Sequence, residues 1–407
     1  MTAPIRSALV IGGGVAGPVM AMALQKAGIA ATVHEAYAST ADGIGGGLSI
    51  APNGLDALDA IGAGDRVRAI GRPLSGTVLR SWKGKRLGEL SVPAGLPALR
   101  FVWRAELSRA LGDEAAARGI HVEHGKRLVG VEESSSGVTA VFADGTSATA
   151  DVLIGADGIR STVRRLIDPA APEPEYAGLL GFAAEVADTG LAPTEGRLNI
   201  SYGRNASFGY LVHDDGSGGW FVNLPHRRLT VAEARQVDDR VWLERLRAAF
   251  AQDRSLAPDL LARTDPADLL ITGPLETLPT VPTWSRDRMV LVADAVHATS
   301  PSAGQGASLA FESAVQLARS LRDLPVPDAF AAYEGLRRER VERIIAVAAR
   351  TNRNKANTSA RVVRDVLMPV ATKIVLRMVK PEKMAWQFQH HIDWSAPVTA
   401  TAPAPIR

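Results

Sequence analysis

The run Ser7-Ala8-Leu9-Val10-Ile11-Gly12-Gly13-Gly14-Val15-Ala16-Gly17, followed downstream by Ala30-Ala31-Thr32-Val33-His34-Glu35, decides how this chain begins to fold. Ala8 to Ile11 is an unbroken apolar run, the signature of a strand buried on both faces. Glycines end it. Ala16 to Ala27 reads as a helix closed by Gly28, and Ala30 to His34 as a second strand. Within this βαβ unit, Gly12 permits a tight turn, Gly14 lets backbone approach a pyrophosphate and Gly17 lets the helix pack on the strand. Val15 and Ala16 open the helix, whose free N–H groups and dipole face the phosphates. Glu35 ends the second strand, where a carboxylate can accept from ribose hydroxyls. The unit predicts a bound dinucleotide without choosing which one.

Outward from this unit the chain changes character twice. Residues 43–61 start glycine-rich and turn helical at Pro52-Asn53. Residues 74–92 read as strands, 104–118 as a helix and 127–150 as a β meander with a turn at Asp144-Gly145. Strand-like runs at 176–186, 196–203, 207–213 and 219–224 carry the aromatics Tyr202, Phe208, Tyr210, Trp220 and Phe221. A strand at Met289–Ala293 returns to the glycine-and-helix style, with helices over 305–321 and 328–350. The stretch 358–380 reads as a helix broken at Pro369 that packs on the body. The order predicts an α/β protein. A dinucleotide-binding domain covers 1–72, 98–172 and 273–350, and a β-rich substrate domain covers 73–97 and 173–272. A C-terminal helical segment and tail covers 351–407.

Composition excludes several classes. The 407 residues contain no cysteine, so disulfides, thiolate nucleophiles and cysteine-based metal sites are ruled out. Net charge is +3, with basic residues scattered rather than aligned, which argues against nucleic acid. No apolar run reaches the length of a membrane span, and no secretion signal precedes the first strand; a cytoplasmic protein, monomer or homodimer, is expected.

Two further motifs carry chemistry. In Asp151-Val-Leu-Ile-Gly155-Ala-Asp157-Gly158, a buried strand ends in a turn where Asp157 either caps the next helix or faces a pyrophosphate. In Asp294-Ala-Val-His297-Ala-Thr-Ser-Pro301-Ser-Ala-Gly304-Gln305-Gly306-Ala307-Ser308, a strand delivers Asp294. A glycine loop then starts a long helix whose N-terminus can stabilise negative charge on a ligand.

The three motifs in this order and spacing resemble the class A FAD-dependent monooxygenases, the p-hydroxybenzoate hydroxylase fold. The resemblance implies a Rossmann-like FAD-binding domain of the glutathione-reductase type, interrupted by a β-sheet substrate domain. It implies that Gly12, Gly14, Gly17 and Glu35 hold the ADP half of FAD. Arg104 would contact phosphates and ribityl chain, and Asp294 the ribityl hydroxyls. Gly46 and Gly47 would lie beside the isoalloxazine ring, and Pro301, Gly304, Gln305, Gly306 and Ala307 would form the flavin loop. It also implies NADPH or NADH as transient electron donor. O₂ would be activated as a flavin C4a-hydroperoxide that hydroxylates or epoxidises a small aromatic or hydrophobic substrate. The chain departs from the family pattern at Ala293, where a glycine is usual, at Ser308 in place of asparagine, and at Asp42, where many members carry arginine.

A base that deprotonates a phenol would assist, and His213, Tyr210 and His226 are the candidates in the β-rich segment, with His297 in the flavin loop. Flavin halogenases carry a Trp-x-Trp-x-Ile-Pro segment; Trp220-Phe-Val-Asn-Leu-Pro225 lacks the second Trp and the Ile. A flavin-dependent dehydrogenase or reductase and a non-enzymatic flavin sensor are the remaining alternatives.

Overall fold

The computed structural model describes residues 5–39, 45–93, 95–135, 137–300, 304–356 and 385–400. Pro301, Asp42 and the 358–380 segment lie outside them.

The first strand, Ser7–Ile11, sits centrally in a six-stranded sheet. Ala30–His34 pairs parallel on one side and Val152–Gly155 parallel on the other. Met289–Leu291 continues the parallel pairing beyond Val152–Gly155. Val152–Gly155 and Met289–Leu291 are apolar and buried throughout, as inner strands of a covered parallel sheet are. Helix Ala16–Lys26 packs on Gly306–Asp323, which also meets Pro52–Ala60 and the long helix Val326–Ala356. Residues 308–321 are all buried, so this central helix has no solvent face.

A seven-stranded sheet follows, in the spatial order 270–277, 175–186, 218–225, 207–212, 197–202, 76–81, 86–91. It is antiparallel except where Arg197–Tyr202 runs parallel to Gly76–Ser81. Alternation decides its faces. Phe182, Phe208, Tyr210, Trp220 and Val222 pack outward against Trp242, Leu246 and Phe250 of helix Asp239–Phe250. That helix falls in a segment whose sequence reading names only strands. The strand Leu270–Thr277 extends this sheet beyond the expected domain edge at 272, because its residues through Thr277 still pair with Glu175–Val186.

A small antiparallel sheet of Gly47–Ile50, Leu99–Trp103 and Arg72–Leu74 joins the two large sheets. The meander falls at 128–133, 138–142 and 147–150. Residues 385–400 lie across the helices, held by Arg340 through the carbonyls of Trp386 at 3.0 Å and Gln387 at 2.8 Å. Among the described residues no helix is long and apolar enough to cross a membrane.

Candidate functional site

The glycine turn has the geometry a pyrophosphate needs. Gly12 stands at φ +107°, and a Cβ there would lie 2.5 Å from the Ala156 carbonyl oxygen. A Cβ on Gly17 would lie 1.9 Å from the Gly12 oxygen, so the helix reaches the strand only because the side chain is absent. Gly14 faces open space, with nothing within 4 Å of a Cβ position. Glu35 accepts from the N–H of Gly13 at 2.6 Å and of Tyr37 at 2.9 Å. Two bonds leave acceptor capacity on this carboxylate for ribose hydroxyls.

Asp157 spends its oxygens on its own turn. It accepts from Ser161 Oγ at 2.5 Å, Thr162 N at 2.7 Å and Val163 N at 3.1 Å. Ser161 caps the helix, accepting from Arg164 N at 2.9 Å. Asp157 thus ties the turn to the first N–H groups of helix Thr162–Ile167. A residue the sequence did not single out ties the second and third motifs together. The buried Arg164 donates through Nη1 to the Ala295 carbonyl at 2.8 Å and through Nη2 to the Ile159 carbonyl at 2.7 Å. Its signal was weak, an arginine between Val163 and Arg165 in a short helix.

Asp294 begins a short helical turn and keeps its side chain open to solvent although protein surrounds it, as at the floor of a cleft. That depth raises its carboxyl above the usual range, and the Arg104 guanidinium opposes the rise. Arg104 starts the helix Arg104–Ala117, with its N–H bonded to the Gly46 carbonyl at 3.2 Å. Gly45 lies against the Arg104 side chain, where a Cβ would come within 2.6 Å of Cδ. Arg104, Gly46 and Asp294 thus share one wall.

Gly304 stands at φ +58° beside Ser49 Oγ, and Gln305 and Gly306 lead into the central helix with Ala307. Ser308 does not cap this helix; its Oγ accepts from the Ala51 N–H at 3.0 Å and joins the loop to the Gly47–Ala60 segment. Asn53 completes that junction, donating to Gln305 Oε1 at 3.1 Å and to Glu312 Oε1 at 2.6 Å. Three buried polar atoms around the loop have no partner among the described residues: Gln305 Nε2, Asn53 Oδ1 and Thr299 Oγ1. Such groups are costly unless satisfied, and a polar ring edge seated at the loop fits them.

The inner face of the seven-stranded sheet looks toward this wall. Gly46 approaches Ala183 and Thr272; a Cβ on it would lie 3.1 Å from Ala183 Cβ. Trp103 lies over Gly219, where a Cβ would meet its ring at 2.5 Å, and Phe221 fills the space above Gly209. His213 reaches this side, its ring 6.4 Å from that of Phe101. Burial, then Arg72, lowers its pKa, so it is neutral at pH 7.

Tyr210 and His226 do not join it. Strand alternation turns both to the outer face. Tyr210 is buried in the outer core and His226 stacks edge-on to Trp242 at 5.5 Å. Trp220, of the halogenase-like string, also lies there and donates from Nε1 to Thr264 Oγ1 at 2.8 Å. His297 is buried behind the loop against Ser313 Oγ at 2.9 Å.

This cradle defines a dinucleotide-binding protein with a second sheet facing the cradle wall. Residues 6–348 match the family described as FAD binding domain, and the chain belongs to it. The chain is 29% identical over 88% of its length, and 93% of the relative's, to the aurachin C monooxygenase/isomerase of Stigmatella aurantiaca. It is 31% identical to the FAD-dependent urate hydroxylase of Klebsiella pneumoniae over 84% of this chain and 88% of that one. The solved Klebsiella pneumoniae HpxO complexed with FAD and uric acid superposes at TM-score 0.80, covering 93% of this chain and 94% of that one at 28% identity. The protein is an FAD-dependent flavoprotein monooxygenase.

Proposed function

We propose that this enzyme transfers one oxygen atom from O₂ to an uncharged, flat or hydrophobic organic molecule lying against the inner face of the seven-stranded sheet. One observation carries this reading. By strand alternation the inner positions of 175–186, 197–202, 207–212 and 218–225 contain no lysine or arginine. Ala183, Leu198, Ile200, Leu211 and Phe221 make the surface apolar, and Tyr202, Ser207 and Asn223 are neutral polar positions on it. Glu185, a carboxylate on that face, has its pKa raised by burial and then by Glu106. An anion such as urate would meet no lysine or arginine at the inner positions of these four strands, and desolvating an unpaired charge is costly; the Arg72 guanidinium that acts on His213 and Glu185 is already paired with Asp215 at 3.1 Å.

FAD, when bound, supplies the redox chemistry, taking electrons from NAD(P)H and activating O₂. The chain's own residues hold and orient it. The Gly14 turn and the N-terminus of Ala16–Lys26 take the pyrophosphate, and Glu35 the ribose. Arg104 and Asp294 take the ribityl chain. The start of Gly306–Asp323 offers backbone N–H groups to charge that develops on the ring. Phe101, Trp103 and Phe221 exclude water beside it, and Tyr202 gives a substrate hydroxyl or carbonyl a hydrogen-bonding partner. Neutral His213 can accept a proton at the rim of this face.

The test is NAD(P)H oxidation by the FAD-loaded protein across neutral aromatic and polycyclic compounds and their carboxylate counterparts, with products read by mass. Turnover of neutral members with gain of one oxygen is expected. Turnover confined to anions would overturn the proposal.

A further inference from the structure

The outer face of the same sheet carries a separate cavity of about 480 Å³, beside strands 76–81, 86–91 and 197–202 and lined also by residues 192–195. It has no part in the cofactor cradle: the strands that form its floor turn Asn199 and Tyr210 outward and Leu198, Ile200 and Leu211 inward. Its volume is that of a site for a small organic molecule.

Its charges do not cancel. Arg86 pairs with Glu89, and Arg197 with Glu89 at 3.0 Å and Glu195 at 2.6 Å. The two carboxylates are thereby committed to two arginines. Arg80 is left over. Its Nε donates to Asn199 Oδ1 at 2.9 Å and its Nη1 to the Gly84 carbonyl at 3.3 Å, and no carboxylate among the described residues pairs with it. A half-buried guanidinium held in place by neutral acceptors keeps its attraction for an anion. Beside it stand Asn199 at 4% and Tyr210 at 3% exposure. The rest of the lining includes Val78, Ala192, Pro193 and Leu256, an apolar surface.

We infer that this cavity is a second ligand site, for a small organic carboxylate whose anionic head meets Arg80 and the Tyr210 hydroxyl and whose apolar body lies on Val78, Pro193 and Leu256. The reading is independent of what the inner face oxidises, and an occupant would sit one strand thickness behind that face.

Titration calorimetry of the FAD-loaded enzyme with benzoate, and with uncharged benzamide, tests it. Saturable binding of one benzoate per chain is expected, with benzamide weaker by about tenfold or more, the value of one charge-assisted hydrogen bond. The flavin absorption spectrum should not change, since a ligand on the inner face would perturb it. Arg80→Gln should weaken benzoate by about ten- to a hundredfold while FAD content and NAD(P)H oxidation stay as they were. Leu256→Trp, a change at the partly exposed rim that leaves Arg80 untouched, should block binding as well, and it decides the matter alone if Arg80→Gln does not fold. Absence of saturable benzoate binding, equal affinity for benzamide, a perturbed flavin spectrum, or binding that survives these substitutions would each overturn the assignment.

Discussion

Arg337 meets Glu312 at 2.5 Å, and neither side chain is more than 1% exposed. The pair lies behind the flavin loop, and the same carboxylate accepts from Arg340 at 2.9 Å and from Asn53 at 2.6 Å. Burial would push the Glu312 carboxyl up, but Arg337 and Arg340 outweigh it and hold the pKa at about 2. Because Asn53 also holds Gln305, this ion cluster fixes both the strand–helix junction and the start of the central helix at the proposed flavin site.

Removing one member of a buried ion pair leaves the other uncompensated, at roughly 3–5 kcal/mol. Arg337→Met should therefore lose about that much stability and release FAD more readily. The double variant Glu312→Leu/Arg337→Met should lose less than the sum of the two single changes. Denaturant titrations with and without added FAD measure both, and strict additivity would show that the pair is not coupled.

Ala293 stands at φ 55°, ψ −139°, a region that glycine enters freely and alanine does not. Strain of this kind costs about 1–3 kcal/mol, against about 0.5–1 kcal/mol for the added chain entropy of glycine. Ala293→Gly is expected to raise stability by about 1 kcal/mol with Asp294 function retained. Urea midpoints compare the two proteins, and a destabilised variant would mean that the alanine is unstrained.

His297 has its pKa lowered from 6.5 to about 3, first by burial and then by Arg337. The folded state keeps it neutral, while the unfolded chain takes up a proton as pH falls below 6.5. Its contribution is complete above that value and is lost as pH drops toward 3, at about 1.4 kcal/mol per unit. His297→Gln should flatten the fall in unfolding free energy between pH 7.5 and 5.5 by roughly that amount. An identical pH slope in both proteins would show that His297 titrates normally.

Asp294→Ala should weaken FAD binding by about ten- to a hundredfold, the value of one ionic hydrogen bond. Tyr210→Phe and His226→Gln, on the outer face, should leave FAD affinity and turnover within about twofold. Flavin titration of the apo-proteins and steady-state rates separate these outcomes. A large loss of turnover in either outer-face variant would contradict the face assignment.

Local order along the chain was enough to reveal the cofactor half. Gly12, Gly14, Gly17 and Glu35 are read from consecutive elements, and the apolar runs 8–11 and 152–154 leave only a buried parallel sheet as their home. The 3.6-residue spacing of Trp242, Leu246 and Phe250 was legible too, although aromatic strand runs around it drew the reading toward β. What the sequence could not decide was which sheet face packs on helix Asp239–Phe250 and which looks toward the Gly46 wall. Alternation separates Tyr210 from Leu211 and His213, yet both faces of these strands carry apolar and aromatic residues. Packing of helix Asp239–Phe250 on one face and of Gly46, Phe101 and Trp103 near the other settled it. The same holds for Arg164, Glu312 and Arg337. Their partners lie on other elements, so only tertiary contact shows whether a charge that the sequence places among apolar residues is solvated, paired or buried.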